Sequence, residues 1–498
     1  MLDASRADLV AGVAGAGTMG RGIAQVLAQC GARTLLFDAQ PGAAEKARES
    51  IAQALARLVE KGKTTDAQAK SVLSRIEVAP SLEGLAPCHV VIEAIVEELG
   101  AKRELFSRLE EIVGAGCILA SNTSSLSVTA MAAACKHPGR VAGYHFFNPV
   151  PVLKIVEVVD GVRTEPWASD ALTALATSFG HTPVRCKDTP GFIVNHAGRA
   201  FVPEALRVLS EGVADFATID RILVDAAGFR IGPFGLMDLV GLDVNHAVMK
   251  SMYQQYFEEP KYKPSFLVEA RVAAGLLGRK TGRGWYEYGK DGAALPVAER
   301  PVPTKKPDAV WAVPELKDFF AKLKVRVEND PAKNNLCFVA PLGSDATTAA
   351  LDLKLDPTRT VALDPLFGFS KRRTLMTTPV TRPEVRDAAH ALLAADGMPV
   401  SVINDSPGFV AQRVLAHIIN VGCDIMQMRI CAPEDLDRAV MLGLGYPRGP
   451  LGFGDALGPQ RILAVLENMH DFLQEPRYRP SPWLRRRARL GVSLLTPE

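Results

Sequence analysis

The sequence predicts a doubly wound α/β domain followed by an all-α domain. The helical domain is predicted a second time at the C-terminal end, after a degenerate partial α/β segment. Three observations carry this. Short apolar strands alternate with helical stretches in the N-terminal part, the pattern of a parallel sheet covered on both faces. From Asp188 the pattern turns helical. DTPGFIVN at 188–195 then returns as DSPGFVAQ at 405–412, 217 residues further on. The same offset joins Asp220 to Asp437, Gly228 to Gly445, Pro233 to Pro450, Asp238 to Asp455 and Gly241 to Gly458. KYKPS at 261–265 recurs as RYRPS at 477–481. Self-similarity at a fixed offset marks a repeated structural unit.

The elements follow in order. A short strand of small residues, 9–13, runs into the turn Gly15-Ala16-Gly17-Thr18-Met19-Gly20 and a helix over 21–29. A second strand, 34–37, ends at Asp38. Helices over 43–61 and 65–75 form an inserted hairpin, and a strand at 89–92 leads to Glu93. A helix over 101–113 and a strand at 117–120 complete the alternation. The expected domains are 1–187 for the sheet, with the hairpin at 43–75, and 188–288 for the first helical copy. A proline-rich, charged linker covers 289–314, the degenerate α/β segment 315–400 and the second helical copy 401–498. TVALDPLFGF at 360–369 echoes VAGYHFFNPV at 141–150, which sets Asp364 at the place of His145 and Met376 near that of Glu157.

Composition bounds the function. The chain has 498 residues, 48% hydrophobic and 22% charged, too long for one core and balanced like a soluble globular protein. A net charge of +2 gives no field to recruit nucleic acid, and RRRAR at 485–489 reads as a solvated helix face. Apolar runs stay short of the roughly 20 residues that span a bilayer. MLDASRADLV lacks a targeting pattern, so a cytoplasmic location is expected. Eight cysteines form no CxxC pair or metal-ligand spacing and read as buried, reduced thiols.

A GxGxxG run alone is weak. Here Gly15, Gly17 and Gly20, with Thr18 and Met19 between them, follow a strand, open a helix and precede an acidic strand end at Asp38. That context is the Rossmann-type dinucleotide fingerprint: glycines admit a pyrophosphate to the helix N-terminus, and the acid binds the ribose hydroxyls. Asp38 would repel a 2′-phosphate, and Ala39 and Gln40 supply no cation, so NAD is expected over NADP.

A histidine beside aromatics is more often core than catalyst. His145, however, ends an apolar run just before Asn148-Pro149-Val150-Pro151, and the chain resumes over 152–159 with Glu157 among apolar residues. A reversal at the prolines makes His145 and Glu157 cross-strand neighbours, since residue 151 is equidistant from both. A buried glutamate needs a partner, and an imidazole suits it. The expected pair is a proton acceptor braced by a carboxylate. Ser124, in SNTSSLS after the strand at 117–120, stands where doubly wound sheets gather ligands, although such a run also caps helices. Asn195 opens a helix and reads, from the residues alone, as a surface amide.

These segments resemble the 3-hydroxyacyl-CoA dehydrogenase family. The signatures are GAGTMGRGIAQVLA, VIEAIVEELGAKRELF, ASNTSSLSVT, HFFNPVPVLKIVEVV, CKDTPGFIVN, GPFGLMDLVGLD and GRKTGRGWYEY, in family order over 12–288. The long chain with a second helical copy resembles the family's bacterial 3-hydroxyadipyl-CoA/3-hydroxybutyryl-CoA type, which serves aromatic-acid and fatty-acid β-oxidation. The resemblance implies active-site roles for Ser124, His145, Glu157 and Asn195. It implies NAD contacts for Asp38, Glu97, Lys102, Ser124, Asn148 and Lys280, and a CoA contact for Lys61. Two departures stand out: Ala54 replaces a CoA-contact serine, and Ala11, Gly12 and Ala14 make an unusually small first strand, expected to be loose. Asp364, Met376 and Gln412 in the second copy imply one active site per chain. Single-copy members dimerise through the helical domain, so the two copies are expected to pair within the chain; a homo-oligomer stays open. Two other functions stay open from the residues: a dehydrogenase of free hydroxy acids on the same fold, and a non-catalytic NAD-binding protein.

Overall fold

A computed structural model describes residue 6 and residues 8–498. The N-terminal segment read for targeting lies mostly outside them. The chain forms two compact units. One extends to His196 and takes in Arg429–Leu444; the other holds Ala197–Met428 and Gly445–Glu498.

The first unit is built on eight strands: β1 (Val10–Ala14), β2 (Arg33–Phe37), β3 (Ile76–Val78), β4 (Val90–Glu93), β5 (Ile118–Ser121), β6 (Val141–Phe146), β7 (Ile155–Asp160) and β8 (Thr182–Lys187). Their order is β3-β2-β1-β4-β5-β6-β7-β8, and only β6 and β7 run antiparallel. Helices α1 (Thr18–Gln29), α2 (Ala43–Glu60), α3 (Asp66–Ser74), α4 (Leu99–Ile112), α5 (Val128–Ala132) and α6 (Pro166–Ser178) connect or cover them, and α7 (Val194–Gly198) starts within the unit. The strands β4, β5 and β6 are buried along their whole length, as expected of a sheet covered on both faces.

Two strands escape the sequence reading. β3 has only three residues, and β8 carries Pro183, tolerated because β8 is an edge strand. The strand expected from 152 begins at Ile155 instead, because the amides of Val152 and Leu153 both donate to the Pro149 carbonyl and prolong the turn. The small first strand is not loose. A Cβ on Gly12 would meet Cys88 Sγ at 2.9 Å, Val91 at 3.2 Å and Leu85 at 3.3 Å, so bulk on neighbours fills the space.

The second unit holds a six-stranded sheet: β9 (Ala309–Ala312), β10 (Arg326–Glu328), β11 (Cys337–Val339), β12 (Thr360–Leu363), β13 (Arg373–Thr377) and β14 (Val400–Ile403), in the order β10-β9-β11-β12-β13-β14. β9 thus lies inside the stretch expected as linker. β12 and β13 are antiparallel, as β6 and β7 are. The repeat reaches down to backbone geometry. Gly191 and Phe192 take φ of 74° and 51°, and Gly408 and Phe409 take 77° and 50°. Asp188 accepts from the amides of Val128 and Thr129, and Asp405 accepts from those of Ala346 and Thr347. One alignment needs correction. Asp364 donates its amide to the Thr374 carbonyl, and Met376 pairs with Ala362, so the residue opposite Asp364 is Thr374. The second hairpin is two residues shorter, which shifts its register.

Within this unit the two helical copies share a buried charged cluster. Glu204, on helix Phe201–Ser210, is fully buried and accepts from Arg413 (3.0 Å), Arg477 (3.2 Å) and the Tyr478 hydroxyl (2.7 Å). Burial alone would raise its carboxyl, but the two guanidiniums hold it down at about 2. Lys261 reaches Asp424 in the other direction, so the KYKPS and RYRPS motifs each place a cation on the opposite copy. RRRAR is not wholly solvated: Arg487 is buried, stacks on Trp483 and donates to the Thr496 carbonyl.

Candidate active site

The glycine turn is shaped by what each missing Cβ would strike. Gly15, at φ 108°, would bring a Cβ to 2.4 Å from the Ala94 carbonyl, and one on Gly20 would lie 1.8 Å from the Gly15 carbonyl. Those glycines bring β1, α1 and the end of β4 together. A Cβ on Gly17 would meet nothing within 4 Å. Its side of the turn faces open space, and α1 begins there with no side-chain cap and no acid in its first turn. The free N–H groups of that first turn fit a pyrophosphate. Asp38 also braces the turn: its carboxylate accepts from the amides of Ala16 (2.7 Å) and Gln40 (2.9 Å).

His145 and Glu157 stand directly opposite each other on β6 and β7. His145 Nδ1 and Glu157 Oε2 are 2.6 Å apart, with the histidine 5% exposed and the glutamate fully buried. Glu157 Oε1 accepts from the amides of Ile193 and Val194, both at 2.9 Å. The turn at Gly191 and Phe192 aims those amides, and it is the DTPGF motif that makes it. Phe147 and Phe192 rings flank the imidazole at 4.4 and 5.9 Å. With Nδ1 held by the carboxylate, Nε2 is the ring nitrogen left for proton transfer.

Ser124 and Asn195 come together beside this pair. The Asn195 amide donates to the Ser124 carbonyl at 3.3 Å, and Asn122 Oδ1 accepts from the Phe146 amide at 2.8 Å, which ties the Ser124 loop to the strand of His145. Helix capping falls to Ser127, whose hydroxyl accepts from the Ala130 amide. Glu97 holds the loop from the other side. Its Oε1 accepts from the Ser124 amide (3.0 Å), the Thr123 hydroxyl (2.7 Å) and the Ser125 amide and hydroxyl. Lys102, expected to face the cofactor, is 1% exposed and pairs with Glu93 at 2.6 Å and Glu97 at 3.2 Å.

Asn148 lies exposed on a cavity of about 350 Å³ shared with Thr18, Arg21, Gly22, Arg57 and Ala54. Lys61 caps the end of α2 and is exposed outside that lining. Arg21 and Arg57, which line the cavity, were not singled out from the sequence; their placement depends on how α1 packs on α2. Lys280 belongs to the second unit, where Asp243 holds its ammonium at 2.6 Å. Among the described residues no group of three or more His, Cys, Asp or Glu side chains is placed to hold a metal.

A doubly wound sheet with a pyrophosphate-ready turn and a His–Glu pair in the same unit defines a nucleotide-dependent oxidoreductase class. Comparison with known proteins narrows it. Residues 10–189 match the NAD binding domain of 3-hydroxyacyl-CoA dehydrogenases, and the C-terminal domain of those enzymes matches twice, at 191–288 and 408–493. The chain is 39% identical over 480 residues to a 3-hydroxyadipyl-CoA dehydrogenase of Escherichia coli, covering 96% of this chain and 97% of the relative. It is 42% identical to a probable 3-hydroxybutyryl-CoA dehydrogenase of Bacillus subtilis, over 55% of this chain and 96% of that one. The crystal structure of 3-hydroxybutyryl-CoA dehydrogenase from Escherichia coli superimposes with a TM-score of 0.86 at 37% identity, covering 97% and 99% of the two chains. The chain belongs to the 3-hydroxyacyl-CoA dehydrogenase family, NAD-dependent oxidoreductases.

Proposed function

We propose that this chain oxidises (3S)-3-hydroxyacyl-CoA thioesters to 3-oxoacyl-CoA, with short acyl chains, 3-hydroxybutyryl and 3-hydroxyadipyl, as its substrates. The observation that carries the mechanism is the 2.6 Å contact between His145 Nδ1 and Glu157 Oε2. Glu157 fixes the tautomer with the proton on Nδ1, so Nε2 is a lone-pair base. Nε2 takes the proton of the C3 hydroxyl, and Glu157 stabilises the imidazolium that forms. NAD, when bound, supplies the hydride acceptor. The C3 hydrogen leaves with its electron pair, the hydroxyl proton stays on His145, and a carbonyl remains. Ser124 and Asn195 orient the reacting oxygen and the thioester.

Gly15, Gly17, Thr18, Met19, Gly20 and Asp38 hold NAD on this reading, with Glu97 and Asn148 completing its contacts in this unit. The cavity with Arg21 and Arg57 supports a thioester substrate, because guanidiniums suit CoA phosphates and offset the Ser-to-Ala change at Ala54. The cross-copy ion pairs support an intrachain pair of helical domains that stands in for a dimer. No described helix is long and apolar enough to cross a membrane, in keeping with a cytoplasmic enzyme. Initial rates with a CoA series from 3-hydroxybutyryl to 3-hydroxypalmitoyl, the 3-hydroxyadipyl thioester and the matching free acids test the proposal. It expects kcat/KM to peak at the short thioesters and to vanish for the free acids; turnover of the free acids as fast as the thioesters contradicts it.

A further inference from the structure

Two carboxylates share one buried ammonium, Glu93 from a buried position and Glu97 from one open to solvent. Glu93, at the end of β4, is fully buried. Its Oε1 accepts from Lys102 Nζ at 2.6 Å and the Ile95 amide at 2.7 Å, and its Oε2 accepts from the Ser121 hydroxyl at 2.6 Å. Glu97 accepts from Lys102 at 3.2 Å and from four further donors on residues 123–125. Donors reach both oxygens of each group, so each carboxylate serves as an acceptor only. Burial pushes the Glu97 carboxyl up, but Lys102 and the hydroxyl and amide donors bring it below the usual range. With one lysine between them the cluster carries a net charge of −1.

Its position gives that charge a purpose. Glu93 precedes Ala94, whose carbonyl crowds Gly15 of the dinucleotide turn. Glu97 holds the loop of Ser124, which Asn122 ties to the strand of His145. The cluster therefore links the glycine turn to the loop beside the imidazole, with Glu93 and Lys102 shielded from water, where charge acts more strongly, and Glu97 at its solvent edge. A nicotinamide ring is cationic when oxidised and neutral when reduced.

We infer that the Glu93–Lys102–Glu97 cluster sets the preference of the cofactor site for the oxidised over the reduced nicotinamide, by presenting one net negative charge to it. The inference rests on the NAD-dependent reading above. The carboxylates act as positioning and electrostatic groups, and take no proton in turnover.

Calorimetric titration of NAD+ and NADH into the full-length chain tests this. In Glu97→Gln the ratio Kd(NAD+)/Kd(NADH) rises about threefold or more, the size of one unit charge several ångströms away under strong screening. In Lys102→Met it falls, since the cluster then loses its only cation. If Lys102→Met does not fold, Glu93→Gln replaces it and must move the ratio in the direction of Glu97→Gln. Equal weakening of both cofactor forms, the result of mere loop damage, overturns the inference, as does an unmoved ratio. A wild-type chain that binds neither form overturns the NAD-dependent reading itself.

Discussion

Glu157 accepts three hydrogen bonds through two oxygens, and the two sides of the carboxylate do different things. One oxygen sets the tautomer of His145; the other fastens the turn at 191–194. Glu157→Gln separates them. The amide oxygen can still accept from Ile193 and Val194, but the amide nitrogen then faces Nδ1 and forces the ring proton onto Nε2. Turnover should fall by about 10³–10⁴, as for loss of tautomer control in a triad, with NAD affinity kept. Stopped-flow NADH formation beside a cofactor titration checks this, and a kcat within about tenfold of wild type contradicts the brace. The pair itself was legible because Pro149 and Pro151 fix where the chain reverses. The amide donors were not, since nothing in DTPGFIVN shows which carboxylate its turn will meet. The partners of Lys102 were not legible either, since only the adjacency of β4 and α4 brings its ammonium to Glu93 and Glu97.

At the scale of the element, the glycine turn separates folding from binding. Gly20 has no room for a Cβ, whereas Gly17 has open space. Gly20→Ala should lower the melting temperature by several degrees, the effect of overpacking worth about 1–3 kcal/mol. Gly17→Val should melt like wild type yet lose about tenfold or more in NAD affinity, because its side chain fills the anion cradle. Paired melting curves and NAD titrations decide; a Gly17→Val chain that binds NAD normally places the pyrophosphate elsewhere. The turn, α1 and Asp38 were legible because motif and context coincide. β3 and β8 were not: one is too short to show periodicity, and the other holds a proline that reads as a strand breaker away from an edge. The second-copy register also slipped, since a hairpin shorter by two residues leaves Asp364 in place and moves its partner from Met376 to Thr374.

At the scale of the whole molecule, duplication ties the chain together through buried charge. Glu204 is shared by Arg413 and Arg477 from the other helical copy, so Glu204→Gln should cost about 3–5 kcal/mol, the usual result of breaking a buried ion pair. His417, fully buried nearby, has no hydrogen-bond partner on either ring nitrogen among the described residues. Burial pushes it down to about 3 from an ordinary 6.5. Folding therefore favours its neutral form, and stability is full above pH 6.5 and falls as pH drops from there toward 3. Asp220 and Asp364, pushed up to about 6 by burial, work in the opposite direction over part of that range. The difference between wild type and His417→Leu isolates the histidine. Melting temperatures from pH 7 to pH 4.5 should decline less in the variant, and identical declines contradict the assignment.

Catalysis depends on an imidazole, His145, that receives the substrate's hydroxyl proton. Single-turnover oxidation of (3S)-3-hydroxybutyryl-CoA by His145→Gln, with NAD binding measured on the same preparation, tests it most directly. NADH formation slowed by orders of magnitude at unchanged NAD affinity is the predicted result. NADH formation at the wild-type rate would remove His145 from the chemistry.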